Sequence, residues 1–241
     1  MCETNEQILN NLGHAVQMTL KYLCERCQAG KVDDPGDAWA STLASSINGL
    51  WLDRLSATEP GQLALPFGAP YRISTELYRV AGGGMAGGPA VDVLLQVWYD
   101  TEFLKISFGI PLLLRQVPSF GPIPMGLWPE LRDACRMISS FSCAGRALLI
   151  GHPNPFDLKP GALIDSTAMY ALPMTLLAGM VDPPRGMSGH ILEHFASDLV
   201  SGWIGDPNLG RQDGSPTVMA FLKAFDVRNT LRLRIHQKED W

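Results

Sequence analysis

The chain has 241 residues, of which 46% are hydrophobic and 18% charged, with a formal net charge of -5. That balance excludes wholesale disorder, and it argues against a general nucleic-acid binder, because phosphate recognition draws on clustered Lys and Arg. The charged share lies below the roughly 25% typical of globular domains, which leaves unusually little polar surface and hints at a face covered by a partner. The length fits one large domain spanning residues 1–241, with a helical hairpin in 1–56, a β-meander in 70–118 and mixed elements in 119–241.

The first twenty residues mix Glu3, Asn5, Glu6 and Gln7 with apolar positions and lack the basic start and unbroken apolar stretch of an export signal. Cys2, Cys24, Cys27, Cys135 and Cys143 form an odd, scattered set, unlike a secreted disulfide framework. Together these features place the chain in the cytoplasm with reduced thiols.

Thr4 and Gln7 match a capping box, and Ile8, Leu12, Val16, Leu20, Leu23 and Cys27 follow at helical spacing, which predicts a helix over residues 5–28. Gly30 ends it, and Trp39, Leu43, Ile47 and Leu50 mark a second helix that would fold back on the first. Residues 71–80 and 91–100 then alternate as strands, and a tight turn at Asp100, Thr101 and Glu102 leads into a third strand carrying Leu104, Ile106, Phe108 and Ile110. Pro111 is expected to stop that strand or move it to an edge.

Prolines 118, 122, 124 and 129 force an extended connection before a helix carrying Leu127, Leu131, Ala134 and Ile138. Residues 147–150 read as a short buried strand, and residues 168–181 as an apolar segment that lies in the core or under another chain. The latter contains Pro173, Thr175 and Gly179, and is too short and interrupted to cross a bilayer, so no membrane association is expected. An amphipathic helix is predicted over 188–204, a shorter one over 216–225, and a final strand on Leu231, Leu233 and Ile235. The expected fold is therefore α+β: an antiparallel sheet, with a meander of about three strands plus later strands, packed with the helical hairpin and several C-terminal helices.

Four strings invite a chemical reading. His190, Glu193 and His194 form H-x-x-E-H, in which two helical imidazoles hold zinc and the carboxylate activates water. A third ligand is required, for which Asp198 or His152 would have to serve, and the bland alternative is a solvated polar face. Cys24 and Cys27 have C-x-x-C spacing at the C-terminal end of a helix, where no dipole lowers a thiol pKa, so buried structural thiols are expected. Residues 82–87 satisfy G-x-G-x-x-G, yet a strand follows instead of a helix, which makes them a flexible hairpin loop and not a dinucleotide cradle.

Finally, Arg228, Arg232, Arg234, His236 and Lys238 form a basic strip, tempered by Asp226, Glu239 and Asp240. Its bland reading is the charged outer face of an edge strand, and its functional reading is contact with an anionic partner through Arg228, Arg232 and Arg234. The favoured function is a non-enzymatic interaction or accessory subunit of a larger assembly, with a protein partner or self-association and no cofactor. The alternatives are a zinc hydrolase with Glu193 as general base on a metal held by His190 and His194, and a nucleic-acid contact through the C-terminal arginines.

Overall fold

The computed structural model describes residues 71–79, 89–100, 105–116, 123–151, 168–183, 190–191, 204–211 and 215–237. The predicted helical hairpin of 1–56 and the glycine loop of 82–87 lie outside them.

Among the described residues seven strands form one sheet: β1 (Tyr71–Arg79), β2 (Ala90–Asp100), β3 (Lys105–Gln116), β4 (Arg146–Gly151), β5 (Ala168–Pro173), β6 (His190–Ile191) and β7 (Asp226–Gln237). Their spatial order is β1-β7-β2-β3-β4-β5-β6. The sheet is mixed. β7 pairs antiparallel with β1 and parallel with β2, and β3 pairs antiparallel with β2 and parallel with β4.

This overturns the antiparallel sheet of the α+β expectation. β2 and β3 do form the expected hairpin, but β1 never meets β2, because the C-terminal strand inserts between them. The sequence pattern misleads for a physical reason: alternation shows that a strand has two unlike faces, and it is silent on which strands lie beside it. For the same reason β7 is an interior strand and not the predicted charged edge.

The parallel pair β3 and β4 is joined through the helix α1 (Trp128–Phe141), a β-α-β crossover of the kind that parallel neighbours require. Pro111 does not end β3, which continues to Gln116. The Leu114 amide points toward β2, where it meets Asp92, and the Gly109 amide points the opposite way, toward Asp206. By alternation Pro111 faces that second side, just before the β4 ladder begins at Leu112, so its missing N–H breaks no strand pairing.

The apolar segment of 168–181 divides into β5 and a short helix α2 (Met174–Gly179), with Ala171, Leu172, Met174 and Leu177 buried. His190 and Ile191 pair with Ala171 and Tyr170 as β6, so the helix predicted over 188–204 does not begin at Ser188. Extended backbone at His190 is what pairing with β5 demands, and it outweighs the local helical periodicity.

The last helix, α3 (Pro216–Ala224), matches its prediction closely. Ser215 caps it by accepting from the Val218 amide at 3.2 Å, and Pro216 starts it where an N–H would have no partner.

Leu113, Ala147 and Leu172 stand in one row across β3, β4 and β5. They share a core with Leu131, Ala134, Cys135 and Ile138 of α1, with Leu177 of α2, and with Phe221 and Phe225 around α3. Phe141 meets Phe221 and Phe225 edge-on at centroid separations of 5.2 and 5.9 Å. On the opposite face Val93, Leu95, Val97, Ile110, Leu112, Leu231 and Leu233 are also buried, which accounts for the nearly unbroken apolar runs of β2 and β3.

Candidate functional site

Two polar residues interrupt the apolar run of β2, Asp92 and Gln96, and each organises a cluster on the face of the sheet that carries Leu94. A polar side chain at such a depth must find partners, because an unsatisfied one costs about 1–3 kcal/mol. Both do.

Gln96 lies at the centre of a row of paired positions: Glu76 on β1, Arg232 on β7, Gln96 on β2 and Gly109 on β3. Arg232 is only 3% exposed, and its Nε and Nη2 donate to Gln96 Oε1 at 3.1 and 3.0 Å. Its Nη1 donates to Glu76 Oε2 at 3.3 Å. The guanidinium lies 4.2 Å from the Trp98 ring centroid and 5.3 Å from that of Tyr78. Two aromatic rings, a neutral fork acceptor and one carboxylate thus replace its hydration.

At the far end of the row Gln96 Nε2 donates to the Leu209 carbonyl at 2.7 Å. Leu209 belongs to a strap of residues 204–211 that lies along β3, tied by reciprocal backbone hydrogen bonds of 2.9 Å between Asp206 and Gly109. Gly109 is needed here, since a Cβ would sit 2.6 Å from the Leu209 oxygen.

The solvent side of the cluster is formed by Glu76, Tyr78 and Arg234. The Tyr78 hydroxyl donates to Glu76, and that hydrogen bond pushes its phenol above the usual tyrosine range. Arg234 Nε sits 3.2 Å from Glu76 Oε1, close enough for ion pairing but without hydrogen-bond alignment, and its guanidinium stacks 4.8 Å from the Trp98 centroid.

Asp92 is 2% exposed and accepts from the Leu114 amide and from Arg115 Nη1, both at 2.7 Å. Arg228 Nη1 lies 3.4 Å from its other oxygen. Burial pushes the Asp92 carboxyl above the usual aspartate range, and Arg115, the Leu114 amide and Arg228 pull the other way. The cluster joins β3 and β7 to β2 through side chains where their ladders run together.

The structure therefore divides the basic strip read from the sequence. Arg228 pairs with Asp92, Arg232 is buried in the β1-β7-β2 row, and Arg234 is half-exposed beside Glu76. The three arginines, at even spacings of four and two, share one face of β7, as expected of a strand, but each has an acidic neighbour on that face. The partners Glu76, Asp92, Gln96 and Trp98 belong to no sequence motif, although Asp92 and Gln96 carry a usable signal as polar residues inside an apolar strand.

Of the zinc string, His190 has strand backbone, and Glu193 and His194 lie outside the described residues, as do Asp198, His152, Cys24 and Cys27. Among the described residues no three His, Cys, Asp or Glu side chains are grouped to hold a metal ion. Cys135 is buried against the α1 core and its thiol is pushed up to about 12 by that burial. No helix among the described residues is long and apolar enough to cross a membrane.

Among the described residues several large apolar side chains face solvent, Ile106, Met137 and Met219 as well as a group around the ends of α1 and α2. Met125 (68% exposed) and Leu127 lie in the turn that enters α1, Leu176 lies on α2, and Val181 (80% exposed) follows α2. Trp128 Nε1 donates to the Val181 carbonyl at 3.0 Å, which fixes Val181 beside the Met125–Leu127 turn. Glu130 and Asp182, both exposed, adjoin it. No protein family, characterised protein or solved structure matches the chain.

Proposed function

We propose that the chain is a non-enzymatic interaction module, an accessory subunit that docks a protein partner or a second copy of itself through the apolar area of Met125, Leu127, Leu176 and Val181. The observation that carries this reading is the fixed exposure of Val181 and Met125 on the packed framework of α1 and α2. An apolar side chain held out by a structural hydrogen bond to its own backbone cannot retreat into the core, and such clusters mark contact sites. Acidic neighbours at Glu130 and Asp182 would favour a partner with basic residues around an apolar anchor.

Native mass spectrometry with elemental analysis on gently purified protein tests the reading. The expected result is a stoichiometric complex, with another protein or with a second copy, that is lost in Leu127→Ser/Val181→Ser. Those exposed changes should alter stability by no more than about 0.5 kcal/mol. A lone monomer mass, or a complex indifferent to both substitutions, would overturn the assignment of this surface. Stoichiometric zinc lost on His190→Ala would favour the hydrolase instead.

A further inference from the structure

The row of paired positions from β1 to β3 joins two parts of the molecule that are far apart in sequence. Its outer end is half-exposed, where Glu76 receives the Tyr78 hydroxyl and sits beside Arg234. Its inner end is the Leu209 carbonyl of the strap. Between them Arg232 bridges Glu76 and Gln96, and Gln96 faces both ways, with its oxygen accepting from Arg232 and its nitrogen donating to Leu209.

The two halves of the Gln96 amide are not independent. Arg232 supplies donors only, so it can pair with Gln96 only when the amide oxygen points toward β7, and that orientation aims the amide nitrogen at the strap. A flipped Gln96 would set its NH2 against the guanidinium and its oxygen against the Leu209 carbonyl, which is repulsive at both ends. Glu76 in turn helps hold Arg232, because a fully buried guanidinium that loses this carboxylate gives up a charge partner and one acceptor.

We infer that this row is a latch: Glu76, acting through Arg232 and the amide orientation of Gln96, positions the strap of residues 204–211 on β3. Glu76 is a positioning residue for a segment it does not touch. The strap is also held by the Asp206 to Gly109 backbone pair, by the turn in which the Leu209 and Gly210 amides donate to the Asp206 carbonyl, by Leu209 in the shared core, and by the close approach of Gly205 and Gly210 to Phe108. Any event at the exposed rim that draws Glu76 off Arg232 therefore removes the side-chain tie from β2 to the strap and makes its turn open more readily, while α1 stays packed on the sheet.

Residue-resolved amide hydrogen exchange on the full chain tests this, with the Asp206, Leu209 and Gly210 amides as the readout and the α1 amides as the internal reference. Glu76→Gln removes the charge at the outer end. Gln96→Glu keeps an acceptor for Arg232 and deletes the donor to Leu209. Each is expected to speed exchange at the strap about tenfold, the equivalent of one hydrogen bond to a charged group, with α1 unchanged. The double variant should do little more than the stronger single one, because both break one chain of contacts.

Strap exchange within twofold of the parent in Glu76→Gln, or effects that multiply in the double variant, would overturn the latch. Should Glu76→Gln also speed exchange in α1, Glu76→Asp, which keeps the charge but withdraws the oxygen from Arg232, carries the same two readings.

Discussion

Replacing Arg232 with Met tests how much of the fold depends on one buried charge. The substitution keeps an unbranched apolar stem of similar bulk, so it opens no large cavity and bears mainly on the polar contacts. It removes two donors from Gln96 Oε1 and one from Glu76 Oε2, and it takes the cation from between Trp98 and Tyr78. Gln96 is fully buried, so its oxygen is left unsatisfied at about 1–3 kcal/mol. Glu76 is a third exposed and recovers water, which holds its loss to about the 0–1 kcal/mol of a solvent-screened pair. Met regains part of the packing on the rings but not the cation–π attraction of about 1 kcal/mol. The sum is a destabilisation of about 3 kcal/mol, to be read from urea unfolding followed by far-ultraviolet circular dichroism. Arg232→Lys keeps the charge without the planar fork and should fall about midway. A loss below about 1 kcal/mol for Arg232→Met would refute the reasoning, since it would mean that the guanidinium is hydrated or that β7 does not lie between β1 and β2.

Two further outcomes follow from packing and burial. Gly109→Ala places a methyl group 2.6 Å from the backbone oxygen of Leu209 and should destabilise by about 1–3 kcal/mol, whereas Gly126→Ala meets nothing within 4 Å and should leave the thermal midpoint almost unchanged. In native protein at pH 8, iodoacetamide should modify the exposed Cys143 and spare Cys135, whose thiol burial holds it protonated; peptide mass mapping would show both modified if α1 were not packed on the sheet.

Most local signals in the sequence were sound, the helical period from Ser188 and the strand stop at Pro111 excepted, and long-range ones were out of reach. The α1 stripe of Leu131, Ala134 and Ile138, the Ser215 cap with Pro216, the β2-β3 hairpin and the buried strand at Ala147 were all legible because each rests on contacts within a few residues or on a period. The neighbour relations of β7 were not, because β1 and β7 are joined only by contacts across some 150 residues, and alternation in Arg232 and Leu233 is the same for an edge strand and an interior one. What distinguishes them is whether Arg232 finds partners, and Glu76 and Gln96 are too distant in sequence for spacing to reveal that. The β3-α1-β4 crossover was available in principle, since a strand, a helix and a strand follow one another there, and the proline-rich connection concealed it. The candidate site suffered most. Strings of adjacent residues such as His190 to His194 stand out in a sequence, while the clusters that the fold assembles gather residues from strands far apart in the chain, β1, β2 and β7 around Gln96 and β2, β3 and β7 around Asp92.

The position of β7 carries the buried arginine, the latch and the division of the basic strip, and it is tested most directly by inter-strand nuclear Overhauser contacts in isotope-labelled protein. The account predicts backbone contacts from β7 to both neighbours, with Leu231 facing Leu77 on one side and Leu95 on the other, and none between β1 and β2. Direct contacts between β1 and β2, with β7 contacting one strand only, would contradict it.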